Sequence, residues 1–152
     1  MKTPRYQIEN LLKTHQLRNT EIRRAVLNLL QITPHAVSQQ DVENLLNGAF
    51  DRVTIYRTLK SFEDAKLIHR VLNDDNSVNY AVCRDSCTEH NEQEQHAHAH
   101  THNHAHFKCE VCQFTFCLEQ TTIPKIELPE NYKAHSLQLL IAGVCKNCVA
   151  VK

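Results

Sequence analysis

Apolar residues in the first 70 positions recur at intervals of three and four, the period of a helix buried along one face. Ile8, Leu11 and Leu12 form the first such stripe, and Thr3-Pro4 provides a start with proline at the first helical position. Ile22, Ala25, Val26, Leu29 and Leu30 form the second, with Thr20 as the capping residue and Pro34 as the stop. Ser38 followed by Asp41 is a capping-box pattern, opening a third helix that turns Val42, Leu45 and Leu46 inward and ends near Gly48. Asp51 can cap a fourth, running to about Ala65, with Ile55, Leu59 and Phe62 on its buried side. The pattern then changes. Leu67 to Leu72 is an apolar run, Asn73-Asp74-Asp75-Asn76-Ser77 is turn chemistry, and Val78 to Val82 is apolar again, which predicts a β-hairpin. Helices followed by a hairpin is the order of a winged helix-turn-helix, whose recognition helix is the one before the hairpin.

Beyond Cys83 the periodicity stops. Residues 84–105 read as a polar hinge or linker, and its second half enters a low-complexity tract in which His96, His98, His100, His102, His104 and His106 alternate with other residues. Alternation resumes where Phe114, Phe116 and Leu118 interleave with Thr115, Cys117 and Glu119, and again at Leu137, Leu139 and Ile141. Pro124 and Pro129 break the chain between these two strands, and Gly143 turns it after the second. The domain reading is therefore 1–83 for a helical unit with its hairpin, 84–105 for the linker, and 106–152 for a small, mostly β unit short of core.

Charge refines this division. Lys+Arg and Asp+Glu both number 17, so the formal net charge is zero, which taken alone argues against a nucleic-acid protein. The average hides a gradient: Lys2, Arg5, Lys13, Arg18, Arg23 and Arg24 face only Glu9 and Glu21 in the first 24 residues, and Asp85, Glu89, Glu92 and Glu94 carry an acidic excess later. Seven cysteines is an odd number, and no apolar leader stands at the N-terminus. Disulfide scaffolding is thus disfavoured against metal-bound thiolates in a reducing compartment, and the expected location is cytoplasmic. No stretch approaches the roughly 20 apolar residues of a membrane span.

The candidate chemistry is metal binding and DNA reading. Cys109/Cys112 and Cys145/Cys148 are two Cys-x-x-Cys knuckles, the ligand count of a closed structural zinc site. A four-thiolate iron centre has the same spacing. In so small a β unit the zinc ion supplies stability that the core lacks, about 10–16 kcal/mol in isolated zinc peptides. On the recognition helix Thr54, Arg57, Thr58 and Ser61 share a face of small hydroxyls around one arginine. Arg57 suits a bidentate contact to a guanine edge, and Thr54 and Tyr56 suit a thymine methyl or a phosphate, unless Tyr56 is half buried in the core. Arg18 and Arg23, at the start of the second helix, are placed for the DNA backbone or minor groove. In an extended segment the alternating histidines point the same way and can converge on a metal, or else form a weakly scavenging tail; His104 and His106 differ in adjoining the strand that enters the zinc unit. His69, Cys83 and Cys117 are scattered further donors from both sides of the linker.

On these residues the chain resembles the ferric uptake regulator family of metal-responsive repressors. The matching segments are Arg18-Asn19-Thr20-Glu21-Ile22-Arg23, Val53-Thr54-Ile55-Tyr56-Arg57-Thr58-Leu59, the histidines running into Phe107-Lys108-Cys109, and Gly143-Val144-Cys145-Lys146-Asn147-Cys148. The resemblance implies an α+β protein with an N-terminal winged helix and a C-terminal α/β dimerisation domain. It also implies a sensory metal at the hinge. Tyr56 and Arg57 match its base-reading pair, and Arg18 its minor-groove residue. Of its branches the zinc uptake regulators are the most similar, because His69 and Cys83 match their hinge ligands. A thiolate at Cys117, where a glutamate is usual, makes the set softer still and suits zinc over ferrous iron. The expected sensory ligands are His69, Cys83, His104 and Cys117, with His106 as a fifth or substitute. Asn103 and Ala105 stand where a third site has ligands, which puts a site using His135 in doubt, as the two prolines do the helix expected there. Cys87 and the histidines before His104 receive no assigned role.

The expected function is that of a zinc-sensing homodimeric repressor acting on palindromic double-stranded DNA operators. Its rivals are an iron or peroxide sensor of the same family and a zinc storage or delivery protein working through the histidine tract. An enzyme with an organic substrate is disfavoured: there is no His-Glu-x-x-His, no deaminase-type signature and no phosphate-binding glycine loop.

Overall fold

The computed structural model describes residues 5–83, 104–121, 123–135 and 137–150. The chain divides into two compact units, Met1–Cys83 and Arg84–Lys152. Thr3-Pro4, Cys87 and the histidines from His96 to His102 lie outside the described residues.

In the first unit the expected helices form, as α1 (Arg5–Thr14), α2 (Glu21–Ile32), α3 (Gln39–Leu45) and α4 (Arg52–Asp64). The local signals act as their chemistry dictates. The Ser38 hydroxyl accepts from the Asp41 amide at 3.1 Å while the Asp41 carboxylate accepts from the Ser38 amide at 2.9 Å, closing the capping box of α3. Asp51 caps α4 by accepting from the Thr54 amide at 2.9 Å. Hydrogen bonds from the Thr54 hydroxyl and amide hold the Asp51 carboxyl below its ordinary range. Thr20 stands at the N-cap of α2 in extended conformation but its side chain makes no capping bond.

The stripes meet in one core, except that Leu45, expected to turn inward on α3, is exposed. Ile8, Leu12, Val26, Leu27, Leu29, Leu30, Val42, Ile55, Leu59 and Phe62 are buried together with Leu67, Ile68 and Tyr80 of the hairpin region. Phe62 is the largest of the fully buried side chains. Phe62→Ala is expected to lower the unfolding free energy by roughly 3–5 kcal/mol, read as a shifted urea midpoint with unchanged slope.

The hairpin is β2 (Ile68–Leu72) and β3 (Val78–Val82), paired antiparallel with Arg70 opposite Tyr80. A two-residue strand that the sequence pattern does not announce, β1 (Val37–Ser38), pairs with β3 and gives a sheet of order β1-β3-β2. It is too short to show alternation.

The second unit is a three-stranded sheet of order β5-β4-β6, from β4 (Ala105–Cys109), β5 (Thr115–Leu118) and β6 (Leu140–Gly143), followed by the single turn α5 (Lys146–Val149). β5 is antiparallel to β4 and β6 is parallel to it. The central strand is the one the sequence places next to His104 and His106; it starts earlier, at Ala105, and takes in His106 at the end of the histidine tract. β6 begins later than the Leu137–Ile141 alternation predicts. The first bond to β4 runs from the His106 amide to the Leu139 carbonyl, and Leu137 is exposed. No helix occupies the described part of the intervening segment, which Pro124 and Pro129 interrupt.

Register sorts this sheet into two chemically different faces. Ala105 pairs with Leu118 and Phe107 with Phe116, and Ile141 lies beside Phe107, so one face is apolar. His106 pairs with Cys117 and Lys108 with Thr115, so the other carries the donors. Phe107, Phe116 and Leu118 are only half buried and Ile141 is exposed. β6 passes close to Phe107 at Gly143, where a Cβ would stand 3.2 Å from the Phe107 ring and the ring would have to shift by a few tenths of an ångström.

Candidate metal centres and nucleic-acid interface

Cys109 ends β4, and the turn after it doubles back: the Gln113 amide donates to the Cys109 carbonyl at 3.0 Å, with Gln113 held at φ 63°. This return brings Cys112 beside Cys109. The parallel course of β6 delivers Cys145 to the same place, at the N-terminus of α5, and one turn of that helix adds Cys148. The four sulfurs lie within 4.8 Å of one another, with Cys112 and Cys145 3.9 Å apart. Four thiolates at 2.3 Å from a tetrahedral zinc ion stand about 3.8 Å from each other, close to the separation of the Cys112–Cys145 pair, so the set fits that ion with at most small side-chain shifts.

The protonation pattern points the same way. Burial pushes the Cys109 thiol up, but hydrogen bonds from the backbone amides of Cys145, Cys112 and Val111 outweigh it and bring the thiol down to about 6. Its neighbours take the opposite course. Cys148 is pushed up to about 12 by its hydrogen bond with Cys145, then by burial and the remaining sulfurs. Cys112 also rises, because burial and the shared protons of Cys109 and Cys145 outweigh the Phe114 amide. Thiols this close cannot all ionise alone, and a divalent cation removes that constraint.

The donor face of the sheet builds a second group. His104 and His106 are two apart and point the same way, and cross-strand pairing sets Cys117 opposite His106. The donor atoms of His104, His106 and Cys117 lie within 4.8 Å of one another, and the two imidazole centroids are 4.9 Å apart. Both histidines are buried. In the first unit the hairpin gathers a third pair of donors. His69 is buried on β2, and Cys83 follows β3 where its amide bonds the Leu67 carbonyl. The Cys83 Sγ lies 3.5 Å from His69 Nδ1, about the nitrogen–sulfur separation across one tetrahedral zinc ion. Imidazole and thiolate ligands together suit zinc. His135 is exposed and belongs to neither metal-holding group found among the described residues.

On α4 the exposed face is not the one the hydroxyls suggest. Thr58 is buried and donates to the Thr54 carbonyl at 2.8 Å, Ser61 donates to the Thr58 carbonyl at 2.9 Å, and the Thr54 hydroxyl is bonded to Asp51. The outward residues are Val53, Tyr56, Arg57 and Lys60, at i, i+3, i+4 and i+7. Tyr56 is half exposed rather than part of the core, and Arg57 is exposed. Val53 was legible as an apolar residue off the buried stripe, but the hydroxyl pattern drew attention from it. Arg18 is exposed in the α1–α2 loop. Arg23 is turned inward: one Nη donates to the Arg18 carbonyl at 3.1 Å, and the other makes a long contact, 3.5 Å, to the Ser61 hydroxyl. No helix of the described residues is long and apolar enough to cross a membrane.

A winged unit presents one helix to a DNA groove, and thiolate-imidazole groups answer to metal supply; together they define a metal-responsive transcriptional regulator. The profile described as "Ferric uptake regulator family" matches residues 14–142, and the chain belongs to that family. Among solved structures it is similar to a "Zinc Uptake Regulator Complexed With Zinc AND DNA", at 21% identity and TM-score 0.59 over 96% of this chain and 93% of that one. The Vibrio cholerae ferric uptake regulator matches at 18% identity and TM-score 0.56, covering 90% and 98%. A zinc-bound manganese uptake regulator matches at 20% identity and TM-score 0.56, covering 89% and 97%. Identities this low establish the fold. No curated protein sequence matches.

Proposed function

We propose that the protein is a zinc-responsive, DNA-binding repressor that acts as a homodimer on palindromic operators. The observation that carries this reading is the split donor set. His69 and Cys83 form a pair at zinc-like separation in one unit, and His104, His106 and Cys117 form a half-site on one sheet face of the other. In the proposed sensor His69, Cys83, His104 and Cys117 share one ion, with His106 as fifth or substitute ligand. When bound, the ion would hold the two units in one arrangement, so that DNA affinity rises with its occupancy. The cysteine quartet is then the structural zinc site. Arg57 reads a guanine edge, Tyr56 and Thr54 meet neighbouring bases or phosphates, and Arg18 enters the minor groove. The half-buried apolar face of the sheet, with Phe107, Phe116 and Ile141, supports burial against a second copy.

The test is a zinc titration of operator binding combined with metal analysis. Wild-type protein is expected to hold two or more zinc ions per chain and to gain DNA affinity with the second. Cys83→Ser is expected to keep the structural ion, lose the other, and need at least about tenfold more zinc to reach half-maximal binding. Equal affinity with the sensor empty and filled ends the proposal.

The iron or peroxide sensor alternative predicts that Cys83→Ser leaves the response intact. The storage or delivery alternative places the work in the histidine tract. Deleting residues 96–102 is expected to leave zinc-dependent DNA binding unchanged, whereas a delivery protein would lose its function.

A further inference from the structure

The inward turn of Arg23 gives it a different part from the other basic residues near α4. Its guanidinium spans two elements that the proposed function asks to act together. One Nη donates to the carbonyl of Arg18 itself, in the loop between α1 and α2. The other reaches Ser61 on α4, at i+4 from Arg57 and so on the same side of that helix. The Ser61 hydroxyl proton is already given to the Thr58 carbonyl, so its oxygen is left to accept from Arg23. The adjacent arginine secures the same loop from its other side, Arg24 donating to the Asn19 side chain at 2.7 Å. Arg18 and Arg57 are both exposed.

We infer that Arg23 is a positioning residue for DNA recognition: it fixes the Arg18 backbone to the recognition helix and so sets the minor-groove and major-groove readers at one spacing. The inference rests on the DNA-reading proposal above. A planar fork donating in two directions does this, and a lysine ammonium on a flexible stem does not. Base reading by bidentate contacts tolerates displacements of only about 0.5 Å, so a loosened clasp is felt as lost affinity. A direct phosphate contact by Arg23 makes a different forecast, because charge alone satisfies a phosphate and each such contact contributes about 0.9 to the salt slope of log affinity.

The experiment uses the full zinc-loaded chain and a duplex selected by the wild-type protein from a randomised pool. Affinities of Arg23→Gln, Arg23→Lys, Arg18→Ala and the doubles are measured across salt concentrations, with melting temperatures for each. The expected result is a loss of about tenfold or more for both Arg23 variants, since lysine does not restore the fork. The salt slope stays at the wild-type value in Arg23→Gln, and in the Arg18→Ala background the Arg23 replacements cost little further. Wild-type affinity in Arg23→Lys with a slope lowered by about 0.9 in Arg23→Gln overturns the inference in favour of phosphate contact. Additive losses in the doubles overturn it in favour of a general stability role, which lowered melting temperatures would accompany. Arg57→Ala, run in parallel, separates the two levels. If it leaves binding untouched, the DNA-reading proposal fails; if it weakens binding while Arg23 behaves additively, only the positioning role fails.

Discussion

Cys109→Ser is expected to release the ion of the cysteine quartet and unfold the sheet unit, leaving the helical unit folded. The reason lies in where apolar burial is found. The buried cluster that runs from Ile8 to Tyr80 belongs wholly to the first unit. Among the described residues of the second, the buried hydrophobic ones are Ala105, Cys109 and Cys145, and two of these are themselves thiol donors. Three strands with one half-exposed apolar face bury little within the chain to offset the entropy of ordering them. A structural zinc ion contributes about 10–16 kcal/mol in small peptides, enough to decide whether the unit folds. Zinc content per chain and amide hydrogen exchange check this. Exchange in β4, β5 and β6 is expected to rise to unfolded rates while α2 and α4 keep their protection. Protected strands in a zinc-free variant would show that packing alone sustains the sheet.

The second large effect is expected from His69→Ala. His69 is buried on β2 with the Cys83 sulfur 3.5 Å away, so under the proposed function removing the imidazole takes one zinc ligand from the sensor. Under the proposed mechanism the variant binds DNA equally weakly with and without zinc. Allosteric couplings between metal and DNA fall in the range of about 5–150-fold, and that whole factor is expected to vanish. The quartet is untouched, so one zinc ion per chain should remain. Operator titrations with and without added zinc, paired with metal analysis, read both results. A retained zinc response would place the sensor elsewhere.

The legible parts of this chain are those whose local chemistry and long-range packing agree. The capping box at Ser38 and Asp41, the Asp51 cap, and the stripe of Ile55, Leu59 and Phe62 each identify one structure, and each forms. The hairpin was equally plain, because its turn residues interrupt two apolar runs. The central strand β4 was not. Strand signals rest on aliphatic and aromatic residues, and the buried residues of β4 are Ala105, His106 and Cys109, with buried His104 just before it, at the end of a tract of biased composition. Composition there masks a period of two that is present. Helix α4 departs from its sequence pattern for a related reason. Small hydroxyls at helical spacing suit a surface that approaches something closely. In Thr58 and Ser61 they bond the helix's own carbonyls, and Ser61 also meets Arg23, so the close approach is made inside the protein. The candidate ligands were easier, since knuckle spacing fixes the quartet, and alternation with cross-strand register brings His104, His106 and Cys117 together.

Strand β4 serves two masters: His106 lies within it, His104 adjoins its start, and Cys109 closes it. Under the proposed function, loading of the quartet and ordering of the sensing half-site are therefore expected to be coupled along a single backbone. If the sheet unit folds only with its ion, as Cys109→Ser tests, a newly synthesised chain without that ion is expected to lack the strand that presents the imidazoles. Under the proposed function such a nascent molecule is expected to stay silent whatever the ambient zinc.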